Sequence, residues 1–352
     1  METNTTTVPA DLGEIKAKLR CGANASGLIL ILFYVLVYGS AAVLAVVMKS
    51  FGDINEGFLS DLFNLLAYTL QYPFTVPILL GIFWLTCGKK TGQRLRDCIK
   101  KPAVPTKTML RWVIICLGVT YAGSYISRMF WLLFQSLTGL ELTAQSFAAD
   151  PSWLSMLTNI ITMVIYAPIF EELMFRGTIL RSMEHGGELP AALMCGIVFG
   201  LWHTNFDQTI YTAVMGFCAA MLYLKTRTVL APFLLHVLMN SIGAFQSLFI
   251  GDLDPYKMMK LEEAEMMTYM AEHAGNIAVI MLSALVVMGL MGLGIILLII
   301  ELVNHGQLFR FEKGSSGMTT GQVMKHCLTS PLMLIACIAL LAMTVLRAMG
   351  IL

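Results

Sequence analysis

Gly27-Leu-Ile-Leu-Ile-Leu-Phe-Tyr-Val-Leu-Val-Tyr-Gly-Ser-Ala-Ala-Val-Leu-Ala-Val-Val-Met48 carries no charge over 22 residues. A helix needs about 20 consecutive, mostly apolar residues to cross the hydrocarbon core of a bilayer. This stretch meets that length, and the chain repeats it. Comparable runs lie at 62–87, 109–135, 154–174, 229–250, 277–303 and 331–352. Two shorter runs, 190–204 and 209–225, fit as helices buried among the others. The expectation is an all-α polytopic membrane protein with about nine transmembrane helices. Pro73 and Pro77 should kink the second helix, because each removes a backbone donor.

Composition agrees. Hydrophobic residues make up 57% of the chain and charged residues 13%, where a soluble domain carries about 25% charged. Met is abundant at 25 residues and reads as flexible packing filler. The net charge of +1 gives no case for nucleic acid as a partner. The eight cysteines form no CxxC pair and sit mostly in apolar runs, so neither a disulfide framework nor a zinc-finger spacing is expected. Residues 1–26 are largely polar, and the first apolar run ends in no small-residue cleavage pattern, so it reads as a retained helix rather than a secretory signal.

Lys and Arg positions orient the chain. With the N-terminus inside, 18 of them fall in inner segments: Lys16, Lys18, Arg20, Lys89, Lys90, Arg94, Arg96, Lys100, Lys101, Lys107, Arg111, Arg176, Arg181, Lys225, Arg227, Arg310, Lys313 and Lys325. Three, Lys49, Lys257 and Lys260, fall outside. That asymmetry predicts a multi-pass cell-membrane protein with a cytoplasmic N-terminus and an outer C-terminus, and an odd number of spans. The outer loop 251–276 is acidic and has room for a short surface helix. Residues 314–320 read as a flexible linker. No internal repeat and no separate soluble domain is visible. The chain divides into N-terminal helices (1–150), a polar-marked core (151–250), and an outer loop with the C-terminal helices (251–352).

Ionisable residues inside spans are unfavourable and so mark functional candidates. Three clusters stand out. The first is Glu171-Glu172-Leu-Met-Phe-Arg176, in which Glu172 and Arg176 are four apart and can pair on one face while Glu171 points elsewhere. The second is Phe199-Gly-Leu-Trp-His203, and the third His236-Val-Leu-Met-Asn240, whose end residues share a helix face. A turn at His185-Gly186-Gly187 would make a hairpin with Glu171 and His203 each thirteen residues from their turn-side ends, hence level, about 20 Å from the turn. His236 would lie about 10 Å into its helix. All three clusters are therefore expected in the cytoplasmic half of the membrane or near its middle. Pro168 cannot donate to residue 164, which should leave a free carbonyl beside a cavity.

These motifs, in this order, resemble those of the CPBP intramembrane proteases, which include eukaryotic CAAX prenyl endopeptidases and bacterial proteins linked to bacteriocin processing and self-immunity. The match covers about 165–245. The resemblance implies a helical core around a buried polar catalytic cavity and peptide-bond hydrolysis near the cytoplasmic side. It implies that Glu171 activates the attacking water, His203 helps to hold it, and His236 and Asn240 stabilise the oxyanion. Glu172 and Arg176 would form a supporting pair, and Phe199 would pack the His203 helix. Glu171, His203 and His236 are also ligand types for a divalent metal such as zinc, though no HExxH is present. A metal-dependent and a metal-free glutamate mechanism both stand at this point. The expected partners are the lipid bilayer and a membrane-associated peptide or protein. The composition resembles a bacterial cytoplasmic membrane protein, for which prenylated CAAX substrates are not expected. Two other readings compete: a non-proteolytic bacteriocin-immunity or regulatory scaffold, and a proton-coupled transporter, against which the missing repeat counts.

Overall fold

The computed structural model describes residues 12–52, 57–139, 152–250, 253, 261–304 and 306–351. Its long helices are α1 (Leu12–Lys49), α2 (Gly57–Thr91), α3 (Thr106–Thr138) and α4 (Trp153–Gly186). There follow α5 (Glu188–Trp202), α6 (Phe206–Thr226), α7 (Leu230–Ile250), α8 (Glu263–Glu272), α9 (Ala274–Val303), α10 (Thr320–Leu328) and α11 (Pro331–Ala348). The protein is an all-α polytopic membrane protein. Eight of these helices are long and apolar enough to cross a bilayer.

The ninth expected span is different. Helix α5 has 15 residues, about 22 Å, against a hydrocarbon core of about 30 Å. It ends at Trp202, and the turn at 203–205 must therefore lie at membrane depth when α5 starts at the surface. Such a turn is tolerated only where protein or a water-lined cavity surrounds it. Here Thr204 and Asn205 are buried, and the Asn205 side chain caps α6 by accepting from the Gln208 N–H. Thr204 has a φ of +44°, strained for a β-branched residue. Its Oγ1 accepts from the Arg347 guanidinium of α11 at 2.7 Å, which braces the turn.

Small residues let α5 sit tightly on α6. A Cβ on Gly200 would stand 2.5 Å from the Thr209 carbonyl, and one on Gly196 would stand 2.8 Å from the Ala213 carbonyl. Such close backbone approach is the usual means of joining helices in lipid, where apolar burial supplies little drive.

Contacts give the relative direction of neighbouring helices. Cys21 of α1 meets Thr86 of α2. Arg111 of α3 pairs with Glu301 of α9, and Gly118 packs on Gly294. Cys195 of α5 meets Phe175 of α4, and Asn159 of α4 donates to Ser247 of α7. Each of these pairs is antiparallel. Helices α1 and α11 run parallel: Asn24 accepts from the Leu332 N–H at one end, and Arg347 donates to the Tyr38 hydroxyl at the other. With α5 counted, nine helices lie at membrane level among the described residues, and the parallel α1 and α11 fit an odd number. One end of the bundle gathers all the cations assigned to inner segments, apart from Arg176, which is buried in the bundle. We call this the basic end.

The two helices with prolines beyond their first turn, α2 and α4, contain π-helical turns. In α2 the turn Leu70–Thr75 includes Pro73, and Pro77 starts the regular turn after it. In α4 the turn Ile161–Tyr166 precedes Pro168. The expected break is therefore an overwide turn, which re-aims side chains without ending the helix. The expected linker 314–320 is less free than anticipated. Gly314 packs against Gly186 and Gly187, the Glu312 carbonyl accepts from the Glu188 N–H while the Glu312 N–H donates to Glu188 Oε2, and Gly187 bridges to Lys313. The outer loop holds the expected helix, α8, while Lys257 and Lys260 lie outside the described residues. All eight cysteines are free thiols.

Candidate active site

The sequence-selected residues converge. Glu171, His203, His236 and Asn240 all line one cavity of about 730 Å³, walled by α2, α4, α6 and α7 and by the turn after α5. The chain contributes Glu171 from just beyond the π-turn of α4, His203 from the strained turn, and His236 and Asn240 from successive turns of α7.

Glu171 is 4% exposed. Its Oε1 accepts from the Tyr72 hydroxyl at 2.8 Å. Its Oε2 has no partner among the described residues, so it is the atom left to act on something in the cavity. The sequence reading left Glu171 without any protein partner. Tyr72 corrects that, and it holds the carboxylate in one orientation.

Glu172 does more than pair with Arg176. Its Oε1 accepts from Arg176 at 2.9 Å and also meets His236 Nδ1 at 2.9 Å. Arg176 is fully buried. It donates to the Gly216 carbonyl at 3.0 Å, and its guanidinium lies 4.7 Å from the centre of the Phe199 ring. Phe199 thus supports three site residues, because its ring also packs edge-on against His203 and His236.

Both histidines carry a proton on Nδ1. A carbonyl or carboxylate oxygen can only accept, so a nitrogen bonded to one must carry the proton. His203 Nδ1 lies 2.8 Å from the Phe199 carbonyl, and His236 Nδ1 lies against Glu172. Each ring therefore has Nε2 left over for the cavity.

Asn240 explains the break at Pro168. In the π register residue 167 donates to Thr162, and residue 168 would donate to Met163. Pro168 has no N–H. The orphaned carbonyl is therefore on Met163 rather than on residue 164, and Asn240 Nδ2 donates to it at 2.8 Å.

The cavity extends to one side of the catalytic candidates. Its lining runs from Glu171 back to Ser155 on α4, from Tyr72 back to Ser60 on α2, and from His236 up to Ser247 on α7. Ser155, Ser60 and Ser247 lie toward the end of the bundle away from the basic end. Toward the basic end, Met174, Phe175, Ile179, Cys195, Phe199 and Leu222 are fully buried and close the floor. The catalytic candidates sit near mid-depth, on the floor of a cavity that opens the other way.

Sequence reasoning missed most of the walls. Asp61, Asn64, Tyr68 and Tyr72 recur at helical spacing on α2, and Ser155, Thr158, Asn159 and Thr162 do so on α4. A search for polar stripes within apolar runs would have found both. Among the described residues no three of His, Cys, Asp and Glu stand close enough together to hold a metal ion. Glu171, His203 and His236 share a cavity without forming a ligand set.

Residues 152–242 match the family model described as type II CAAX prenyl endopeptidase Rce1-like. This match accords with the CPBP resemblance carried by the three motifs. The matched segment contains the Glu171, His203 and His236 clusters and ends just past Asn240. Over 90 residues the chain is 31% identical to the protein named "Putative membrane peptidase YdiL" of Bacillus subtilis (strain 168). That similarity covers 25% of this chain and 37% of the relative, so the chain spans little more than a third of the relative it matches. No solved structure matches.

Proposed function

We propose that the protein is an intramembrane endopeptidase that hydrolyses a peptide bond of a membrane-associated peptide or protein. The single observation that carries this reading is the free Glu171 Oε2 in a buried cavity shared with the Nε2 atoms of His203 and His236. A water between Glu171 and His203 finds an acceptor for each of its hydrogens, which leaves an oxygen lone pair for the substrate carbonyl. Glu171 takes the proton as the water oxygen bonds to the carbonyl carbon. It returns that proton to the leaving nitrogen as the C–N bond breaks. The oxyanion meets His236 as an imidazolium, held by Glu172, together with the second N–H of the Asn240 amide. Because the residues present form no metal-ligand set, the reaction is written without a metal.

We further propose that the basic end faces the cytoplasm, by the excess of Lys and Arg there. This places the N-terminus inside and the C-terminus outside. The competing scaffold reading keeps the same residues for packing, but it gives no use to the free Oε2.

The test compares new N-termini in membranes of cells expressing wild type or Glu171→Gln. Peptide termini present with wild type and missing with the variant support the reading. Identical termini at equal protein levels refute it.

A further inference from the structure

From Glu171 the cavity lining extends toward the end of the bundle opposite the basic end. Its floor holds Glu171, and the packed side chains below it seal the path to the basic end. From Glu171 the lining follows α4 for sixteen residues to Ser155, near the start of that helix. At 1.5 Å per residue the corridor is about 24 Å long. Over the same depth α2 contributes residues from Tyr72 to Ser60, and Ser152 donates to Asp61 where these helix ends meet.

Hydroxyl and amide side chains line the corridor, and no Lys or Arg is among the lining residues. The hydroxyls of Thr158 and Thr162 are buried and have no partner among the described residues. They stand on one face of α4 with Asn159 between them. A buried hydroxyl without a partner is unfavourable. An extended backbone offers N–H and C=O groups at a regular spacing and would satisfy such groups. A folded helix would not, because its own turns use them up.

We propose that this cavity receives its peptide from the extracytoplasmic side, as an unwound stretch threaded from Ser155 and Ser60 down to Glu171. At 3.2–3.4 Å per residue, a corridor of about 24 Å accommodates about seven extended residues on one side of the cleaved bond. The substrate class is then a membrane-associated protein with a pliable segment on the outer side of the membrane, rather than a cytoplasmic tail. The identity of the occupant rests on the peptidase reading, whereas the side of access does not.

Site-directed thiol labelling tests the side directly. Ser155→Cys and Ser60→Cys report the mouth, and Lys100→Cys reports the basic end. Wild type supplies the background, since its cysteines are buried or half-buried. Each variant is exposed to a membrane-impermeant maleimide in right-side-out and in inverted vesicles of a bacterial expression host. The expected result is labelling of Ser155→Cys and Ser60→Cys in right-side-out vesicles and of Lys100→Cys in inverted ones. Labelling of the mouth cysteines in inverted vesicles alone overturns the proposal. So does failure of both to label in either preparation when the denatured protein labels fully. A bulky maleimide on Ser155→Cys should also abolish the wild-type neo-termini. If labelling is as expected and no variant or reagent changes any terminus, the access side stands and the peptidase reading falls.

Discussion

Replacing Glu172 by alanine should destabilise the whole bundle, and its size can be worked from the site. Arg176 is 0% exposed and Glu172 is 1% exposed. Water cannot replace the lost carboxylate. Arg176 would keep the Gly216 carbonyl and the Phe199 ring, but its charge would be uncompensated. Removing one partner of a buried ion pair costs about 3–5 kcal/mol. The loss of the His236 Nδ1 contact adds to this. At about 2 °C per kcal/mol, the low end for long chains, the unfolding temperature should fall by about 6–10 °C. The protein carries its own reporter. Cys87, Cys98, Cys116, Cys195, Cys218 and Cys327 are buried free thiols, so a thiol-reactive dye in detergent reads their exposure on heating. The double variant Glu172→Leu with Arg176→Met should be less destabilised than the sum of its single variants, because it leaves no orphaned charge. An unfolding temperature for Glu172→Ala within about 1 °C of wild type would refute the reasoning.

Tyr72→Phe removes the one donor to Glu171 among the described residues, and a hydrogen bond to a charged group contributes about 1.5–3 kcal/mol. Cleavage of an identified substrate should slow by about ten- to a hundredfold in kcat with KM little changed. Asn240→Ala strands the Met163 carbonyl beside the π-turn, at about 1–3 kcal/mol, and should lower both the unfolding temperature and cleavage. Gly200→Val should destabilise or unfold the protein, because its Cβ would meet the Thr209 carbonyl at 2.5 Å, backbone that cannot move aside. Chelation of divalent metals should leave cleavage unchanged, measured on the neo-termini absent from Glu171→Gln; loss on chelation with recovery on metal addition would overturn the metal-free scheme.

The helices were legible because each reads from its own run of residues. Length and hydropathy placed Gly27–Met48 and its successors, and charge asymmetry predicted the alternation that the α1–α11 contact displays. The site residues were legible because an ionisable group at membrane depth is rare, so Glu171, His203 and His236 stood out against their apolar neighbours. The Glu172–Arg176 pair was legible because four residues is one helical turn.

Other features depend on distance in space between residues far apart in the chain. Tyr72 reaches Glu171 across 99 positions, and His236 reaches Glu172 across 64. Asn240 finds Met163 only because the π-turn shifts the register ahead of Pro168. The direction of the cavity is the largest such feature. Lys and Arg positions determined which end of the bundle is basic, since each charge needs only to lie beyond an apolar run. Which end the cavity opens toward depended on how four helices pack. Large apolar side chains interlock below Glu171, and smaller polar ones leave space above it, and only the tertiary structure brings those two sets into register.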